Sequence, residues 1–439
     1  MNTIRKVALL TAGVSFVIFL PAVLMGHQQL WQAMAVTSSI AGSIGLGAIP
    51  VLQGYQYTAW VISAVVCGMI YPEQLLHIGS VDMRNKWLIL FIIQLVMFGM
   101  GMKMSIKDFT GIAKSGKGVV VGLLSHFTVM PLMGFLLTKI FHFDMEIAAG
   151  IILIGCCSSG LASNVMTYIA RGNLVLSVTV TAITTIAAPI MTPFLMKLLA
   201  GTLIEVKFIY MMMEIIKIVI VPLSAALIHD FLKTASLHQA KRVNNIMLFA
   251  LLWLLVNLLI WNKVFYPNLS LPLLETLEVC NFFAGAIVIG VLYHLLAKRT
   301  PKIGDFMPYL SMAGIVYFTM VTTAAGRDNL LQVGFLLFLA AVIHNGAGYF
   351  FGYTFSRLLG LNKADARTLA FEVGLQNGGM ATGLAGTMGK LETVGLAAAI
   401  FSPWMNISGS ILANYWRKKE EKVKKQQQNH KSLMKSELI

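Results

Sequence analysis

The sequence predicts an all-α polytopic membrane protein. Of its 439 residues, 57% are hydrophobic and only 12% are charged, whereas a soluble domain has about twice that charged fraction. The mean hydropathy is +0.77, and the apolar residues are gathered into long stretches. These observations exclude a soluble globular protein and predict a bundle of membrane-spanning helices.

Fourteen apolar stretches are candidate spans. In chain order they lie at 6–25, 33–51, 55–72, 87–104, 118–141, 147–170, 174–200, 208–232, 243–262, 277–297, 308–326, 331–355, 366–389 and 393–415. In the first, the apolar run from Val7 to Gly26 comes after Arg5 and Lys6, as in a signal peptide, but no convincing small-residue cleavage site follows it, so a retained helix is predicted. The second differs from the others in being rich in Gly and Ser.

The basic residues predict the orientation of the chain. The net charge is +15, yet most Lys and Arg lie in short loops and in a tail at 417–439, so no nucleic-acid partner is predicted. If all fourteen stretches span, the basic loops and the tail share one side, which the positive-inside rule makes cytoplasmic. An even number of spans then puts both termini there. We expect a cell membrane, such as the inner membrane of a bacterium, with membrane lipid around the chain.

No enzyme motif is visible in the membrane segments. The four cysteines, Cys67, Cys156, Cys157 and Cys280, lack metal-ligand spacing and are predicted to be packing residues. The sequence has no serine-nucleophile motif, no paired membrane aspartates and no His-Glu-x-x-His. An intramembrane enzyme is therefore only a remote alternative.

The stretch 366–389 carries a charge inside the membrane. Glu372 is the only charged residue among the 22 residues between Arg367 and Lys390, and three glycines follow it within seven positions. Burying a carboxylate there costs roughly 2.5 kcal/mol or more, so Glu372 is predicted to bind a cation. The glycines favour a broken helix with carbonyl groups turned toward a cavity. The alternative is a helix-packing motif of small residues with a carboxylate near the interface.

A second apolar stretch is interrupted in the same way. Residues 155–164, GCCSSGLASN, place small and polar residues inside 147–170. Two broken membrane helices, one in each half of a chain, indicate a transporter site between repeats.

Oxygen-bearing side chains around the two breaks have the chemistry that a hard cation such as Na⁺ prefers. Two pairs are four residues apart and share a helix face. The candidates are Ser163, Asn164, Ser177, Thr181, Glu372 and Gln376. For any single hydroxyl, the alternative is a hydrogen bond to a carbonyl of its own helix.

Two motifs make the chain similar to a known family. Residues 155–173, GCCSSGLASNVMTYIARGN, with Ser177 and Thr181 after them, resemble one signature of the bile acid:sodium symporter family, and EVGLQN at 372–377 resembles the other. The resemblance runs over roughly 55–416 and includes His344-Asn345-Gly346.

The resemblance implies ten helices in two inverted five-helix repeats, which form a panel domain and a core domain with two broken helices that cross. The implied divisions are extra N-terminal segments at 1–52, a first repeat at 53–200, the first helix of the second repeat at 208–242, a two-helix insertion at 243–297, the remainder of the second repeat at 298–416, and a basic cytoplasmic tail at 417–439.

The resemblance also implies two sodium sites. The first would use Ser163, Asn164, Ser177, Thr181 and Glu372. The second would use Glu372, Gln376, main-chain carbonyls near Val373 and Leu375, and the position of His126, where the family has glutamine. A histidine is a poor Na⁺ ligand, so a proton at His126 could replace or modulate the second sodium; alternatively, the ring only donates to a carbonyl.

The activity implied by the resemblance is sodium-coupled symport of an amphipathic organic anion, such as a bile acid or a small carboxylate, by alternating access. Substrate contacts are expected from Asn164, Asn377 and Leu161, the last making the pocket more apolar than in relatives. The alternatives are a proton-coupled carrier or antiporter using Glu372 and His126, and a receptor or structural membrane component. The sequence leaves the substrate and the oligomeric state open.

Overall fold

The computed structural model describes residues 2–49, 52, 55–106, 112–260, 264 and 268–436. Within them, nine helices are long and apolar enough to cross a membrane. The predicted class, an all-α polytopic membrane protein, is confirmed. The ends of the predicted stretches 33–51 and 243–262 and the tail residues 437–439 lie outside the described residues.

The described helices are α1 (Asn2–Leu24), α2 (Gln28–Gly45), α3 (Gln56–Ile70), α4 (Pro72–Leu76), α5 (Lys86–Gly101), α6 (Ile112–Phe141), α7 (Met145–Cys156), α8 (Ala162–Ile169), α9 (Leu174–Ala200), α10 (Phe208–Ile215), α11 (Val221–Thr234), α12 (Leu237–Ile260), α13 (Leu271–Arg299), α14 (Ile303–Ala325), α15 (Arg327–Leu358), α16 (Lys363–Gly374), α17 (Gly378–Thr387) and α18 (Val394–Ser436). A π-helical turn, Ile216–Ile220, joins α10 to α11. Strands β1 (His77–Ile78) and β2 (Val81–Asp82) form an antiparallel hairpin.

The predicted stretches correspond well to these helices. Nine match the long apolar helices, in which α10 and α11 act as one span. Three match the shorter helices α2, α3 and α5. The remaining two, 147–170 and 366–389, are each divided into a pair of short helices, α7 with α8 and α16 with α17. Both predicted breaks are therefore present.

Helix α7 lies at the centre of the bundle. Every residue from Ile147 to Cys156 is buried, and the helix packs against α6, α9 and α18. A helix that is apolar on all sides must be covered on all sides. Helix α16 is likewise buried from Thr368 to Gly374 and packs against α6, α9 and α15. Helices α7 and α16 thus lie in the interior of the protein.

Polar contacts fix the ends of the broken helices. Asn173 caps α9 by accepting from the backbone of Leu176 at 3.1 Å, and its amide donates to Asp365 of α16 at 2.8 Å. The Asn173 backbone N–H donates to Thr368 Oγ1 at 2.8 Å. These bonds join the turn after α8 to the first half of α16.

The helices outside the predicted ten-helix core attach at the sides. Helix α1 packs on α2, and α2 on α3; helix α12 packs on α13, and α13 on α11. This arrangement is compatible with the predicted extra segments at 1–52 and 243–297. The repeat boundaries stay a prediction.

Candidate functional site

The two breaks meet and pair with each other. Gly160 N donates to Leu375 O at 2.9 Å, and Asn377 N donates to Ser158 O at 2.8 Å, which makes a short antiparallel bridge between Ser159 and Gln376. Backbone groups released from a helix inside a membrane are costly unless they find partners. The breaks supply partners for each other, so the chain can leave the helical path there.

Gly160 is required by this close approach. A Cβ built on it would lie 2.7 Å from the carbonyl oxygen of Gln376, a contact with backbone that a side-chain rotation cannot relieve. The last glycine of the GCCSSG motif therefore lies where the two broken segments cross.

The carboxylate of Glu372 sits beside the crossing and is fully buried. Ser177 Oγ donates to its Oε1 at 2.5 Å, and Ser163 Oγ donates to the same oxygen at 2.6 Å. Thr181 Oγ1 donates to Oε2 at 2.8 Å. Among the described residues, no Lys or Arg pairs with this carboxylate. In the described part of the chain, its side-chain hydrogen-bond donors are neutral hydroxyl groups.

The oxygens around Glu372 outnumber the protons they can share. Asn164 Oδ1 is within 2.8 Å of Ser177 Oγ and 3.4 Å of Thr181 Oγ1, and Thr167 Oγ1 lies 3.2 Å from Ser177 Oγ. Each hydroxyl has one hydrogen and two lone pairs. A ring with this excess of lone pairs around a carboxylate has the donor set of a hard-cation site.

A second group of acceptors lies just beyond the end of α16, in the extended break. Gln376 Oε1 is buried and has no hydrogen-bond partner among the described residues, while its Nε2 donates to Val373 O at 2.7 Å. The Leu375 carbonyl accepts from Gly160 N at 2.9 Å and from Ser159 Oγ at 3.4 Å. An orphaned buried acceptor is expensive, and a cation near Gln376 would satisfy it.

His126 on α6 contacts both broken segments. Its Nδ1 lies 2.9 Å from Glu372 O, and its Nε2 lies 2.8 Å from Cys157 O. Carbonyl oxygens only accept hydrogen bonds, so at least one contact is an N–H donation, and neither nitrogen points into open space. The ring holds the end of α7 against α16.

A cavity of about 200 Å³ is lined by residues of both breaks. It brings together Leu161 and Asn377, both predicted as substrate contacts, whereas Asn164 belongs to the ring around Glu372. Sequence reasoning missed several lining residues, among them Tyr57, Ser311, Ser402 and Asn406. Asn406 was visible as an amide within an apolar stretch, but Tyr57 and Ser311 lie on distant helices without such a signal. No charged side chain lines this cavity among the described residues.

Comparisons with known proteins give one family. The profile of the Sodium Bile acid symporter family matches residues 90–266. An uncharacterized sodium-dependent transporter, YocS of Bacillus subtilis (strain 168), is 32% identical over 379 residues, which cover 86% of this chain and 95% of that protein.

Two relatives of lower sequence identity are also named as sodium cotransporters. The probable sodium/metabolite cotransporter BASS1 of Arabidopsis thaliana chloroplasts is 27% identical over 83% of this chain and 74% of its own length. The human ileal sodium/bile acid cotransporter is 26% identical over 65% of each chain. Both are named as sodium cotransporters, although their named cargoes differ.

Proposed function

This chain belongs to the sodium bile acid symporter family and is a multi-pass, sodium-coupled transporter rather than an enzyme, and from this we propose that Glu372 is the centre of its sodium binding. The observation that carries the proposal is a fully buried carboxylate surrounded by Ser163, Ser177 and Thr181 at 2.5–2.8 Å, with no basic partner among the described residues. Asn164 completes the proposed first site.

Sodium bound at Glu372 would couple ion binding to the conformation of the crossing. Its ligands come from α8, α9 and α16, so the ion ties together the elements on both sides of the crossing. An ion favours a conformation only by binding it more tightly than the alternative. We infer that sodium stabilises the arrangement in which the crossing and its cavity are assembled, and that alternating access moves this assembled core relative to the remaining helices.

The direct test is the melting temperature of the detergent-purified protein in NaCl, KCl and choline chloride at equal ionic strength and pH. A ligand that binds the folded state raises the melting temperature by mass action. A rise specific to NaCl supports the proposal, and equal melting in the three salts contradicts it.

For the substrate, we propose a small organic anion rather than a bile acid. Pockets for drug-sized ligands measure roughly 300–1,000 Å³, and the cavity at the crossing measures about 200 Å³. Its wall offers the amides of Asn377 and Asn406, and α17 begins at Gly378 with its N-terminus beside the cavity. Backbone N–H groups at a helix start attract a carboxylate.

Leu161→Ala is expected to widen the range of anions carried. Leu161 lines the cavity, and its truncation removes apolar volume next to the site where the anion is proposed to bind. Competition against uptake of a small carboxylate into vesicles, with NaCl or choline chloride in the external medium, measures this. We expect bulkier carboxylates to compete several-fold better in the variant, with sodium dependence retained; an unchanged competition profile would place the substrate elsewhere.

For the second sodium site, we propose Gln376, Glu372 and the carbonyls of Val373 and Leu375, with His126 as the residue that limits it. His126→Gln is expected to make the sodium dependence of melting steeper, because a glutamine can donate to one carbonyl and still direct its own oxygen toward an ion. A sodium titration of the melting temperature measures the steepness.

His126→Ala is the contrasting variant. It removes the imidazole ring that contacts the carbonyls of Glu372 and Cys157. The loss of this contact is expected to destabilise the protein by about 1–3 kcal/mol. Should His126→Gln titrate with the same steepness as the native chain, His126 does not limit the second site.

The orientation is proposed from the basic loops, with both termini in the cytoplasm of a cell that has this protein in its plasma membrane. Membrane lipid and the transported anion are the remaining proposed partners.

A further inference from the structure

A larger cavity lies away from the crossing, beside the inserted helix α13. It measures about 610 Å³, is open on one side and is lined mainly by residues of α5, α11 and α13. Its wall is mostly aromatic and aliphatic, with Trp87, Phe91, Phe98, Pro222, Ile289 and Tyr293. The volume is within the range of roughly 300–1,000 Å³ that is typical of small-molecule sites.

One end of this cavity carries a charge cluster. Lys217, in the π-helical turn, has a side chain that is only 6% exposed; its Nζ lies 2.6 Å from Glu214 Oε1 and 3.1 Å from Glu278 Oε2. Two carboxylates share one ammonium, so one negative charge is in excess. Glu214 is sealed in, whereas the Glu278 side chain is 34% exposed and lines the cavity. Glu278 is therefore the group that can take a second cation.

The cavity runs along the direction of the lipid chains. Helix α13 has 29 residues, about 43 Å, which exceeds the hydrocarbon core by about 13 Å. Glu278 lies about 10 Å from the start of the helix and Tyr293 about 22 Å further. Centred in a bilayer, Glu278 is close to the boundary between headgroups and hydrocarbon, and the apolar wall extends inward from it.

We propose that this cavity binds a membrane phospholipid whose headgroup carries a primary ammonium. The ammonium donates to Glu278, and an acyl chain lies along the aromatic wall. The excess negative charge selects a cationic group, and a carboxylate accepting N–H hydrogen bonds distinguishes a primary ammonium from a quaternary one, which has no N–H. The inserted helices thereby form a lipid site that the ten-helix core alone does not have.

The experiment uses the full chain, purified and delipidated in detergent. Phosphatidylethanolamine, phosphatidylcholine and phosphatidylglycerol with identical acyl chains are added in turn, and the melting temperature and the lipids retained in native mass spectrometry are recorded. We expect phosphatidylethanolamine to raise the melting temperature by roughly 2–4 °C more than either of the others, with one molecule retained per chain.

Two variants test the site, one by removing a charge and the other by filling the cavity. Glu278→Gln removes the excess charge and leaves Lys217 paired with Glu214. Gly285→Leu fills the cavity, since a Cβ at Gly285 meets no atom within 4 Å and this residue lines the wall. Gly334→Leu is the matched control, because Gly334 on α15 also has open space but is outside the cavity.

The gain from phosphatidylethanolamine is expected to disappear in Glu278→Gln and in Gly285→Leu and to persist in Gly334→Leu. Equal responses to the three lipids, a preference for phosphatidylglycerol, or an undiminished gain in both cavity variants would overturn the proposal.

Discussion

Glu372→Gln is expected to abolish the sodium-specific rise in melting temperature and to reduce sodium-driven uptake to the level of protein-free vesicles. The glutamine keeps the shape of the side chain but removes the charge that Ser163, Ser177 and Thr181 surround. If sodium is present at about 100 times its Kd, the stabilisation lost is about 2.7 kcal/mol. Melting in choline chloride should change much less, because the neutral side chain avoids the cost of a buried, unpaired charge.

Glu392→Gln is the matched control for this experiment. It makes the same chemical change at an exposed residue, away from the ring, and should leave both the sodium response and uptake unchanged. Should Glu372→Gln retain the full sodium response, the ion binds elsewhere and the proposed first site is wrong. Should the response to sodium vanish in both variants, the loss is a general effect of charge and not a property of the ring.

The ring around Glu372 could be predicted from sequence because its members contrast with their surroundings. A carboxylate, an amide and several hydroxyls within apolar stretches are costly unless they serve a site, and the family resemblance paired the two stretches that contain them. Their assembly then followed from the crossing of the two breaks. Because these polar residues differ from the apolar residues around them, the sequence alone identifies them as site candidates.

The cavity wall could not be predicted in the same way. Tyr57 and Ser311 reach the cavity from α3 and α14, and neither residue type is unusual in a membrane helix. Their place is decided by how those helices pack on the crossing, which is a tertiary property. For His126 the resemblance gave the position, but the two carbonyls that flank its ring could not be predicted, since they belong to segments 31 and 246 residues away in the chain.

Gly160→Ala is expected to have the second large effect, because it tests the crossing itself. The added methyl would lie 2.7 Å from the Gln376 carbonyl oxygen and 3.1 Å from its carbon. Relief requires the two breaks to separate, which removes the hydrogen bonds Gly160 to Leu375 and Asn377 to Ser158. Overpacking of this kind costs about 1–3 kcal/mol.

Separation of the breaks also moves α8 away from α16, and with it Ser163 from Glu372. The variant should therefore melt at a lower temperature in choline chloride and also lose most of the sodium response, as measured by the same salt comparison. Gly334→Ala, in a helix with open space around it, should be neutral or more stable by up to about 1 kcal/mol. The added methyl group can be accommodated only if the backbone at Gln376 moves. A Gly160→Ala protein that melts and responds to sodium like the native chain would therefore show that sodium binding does not depend on this crossing.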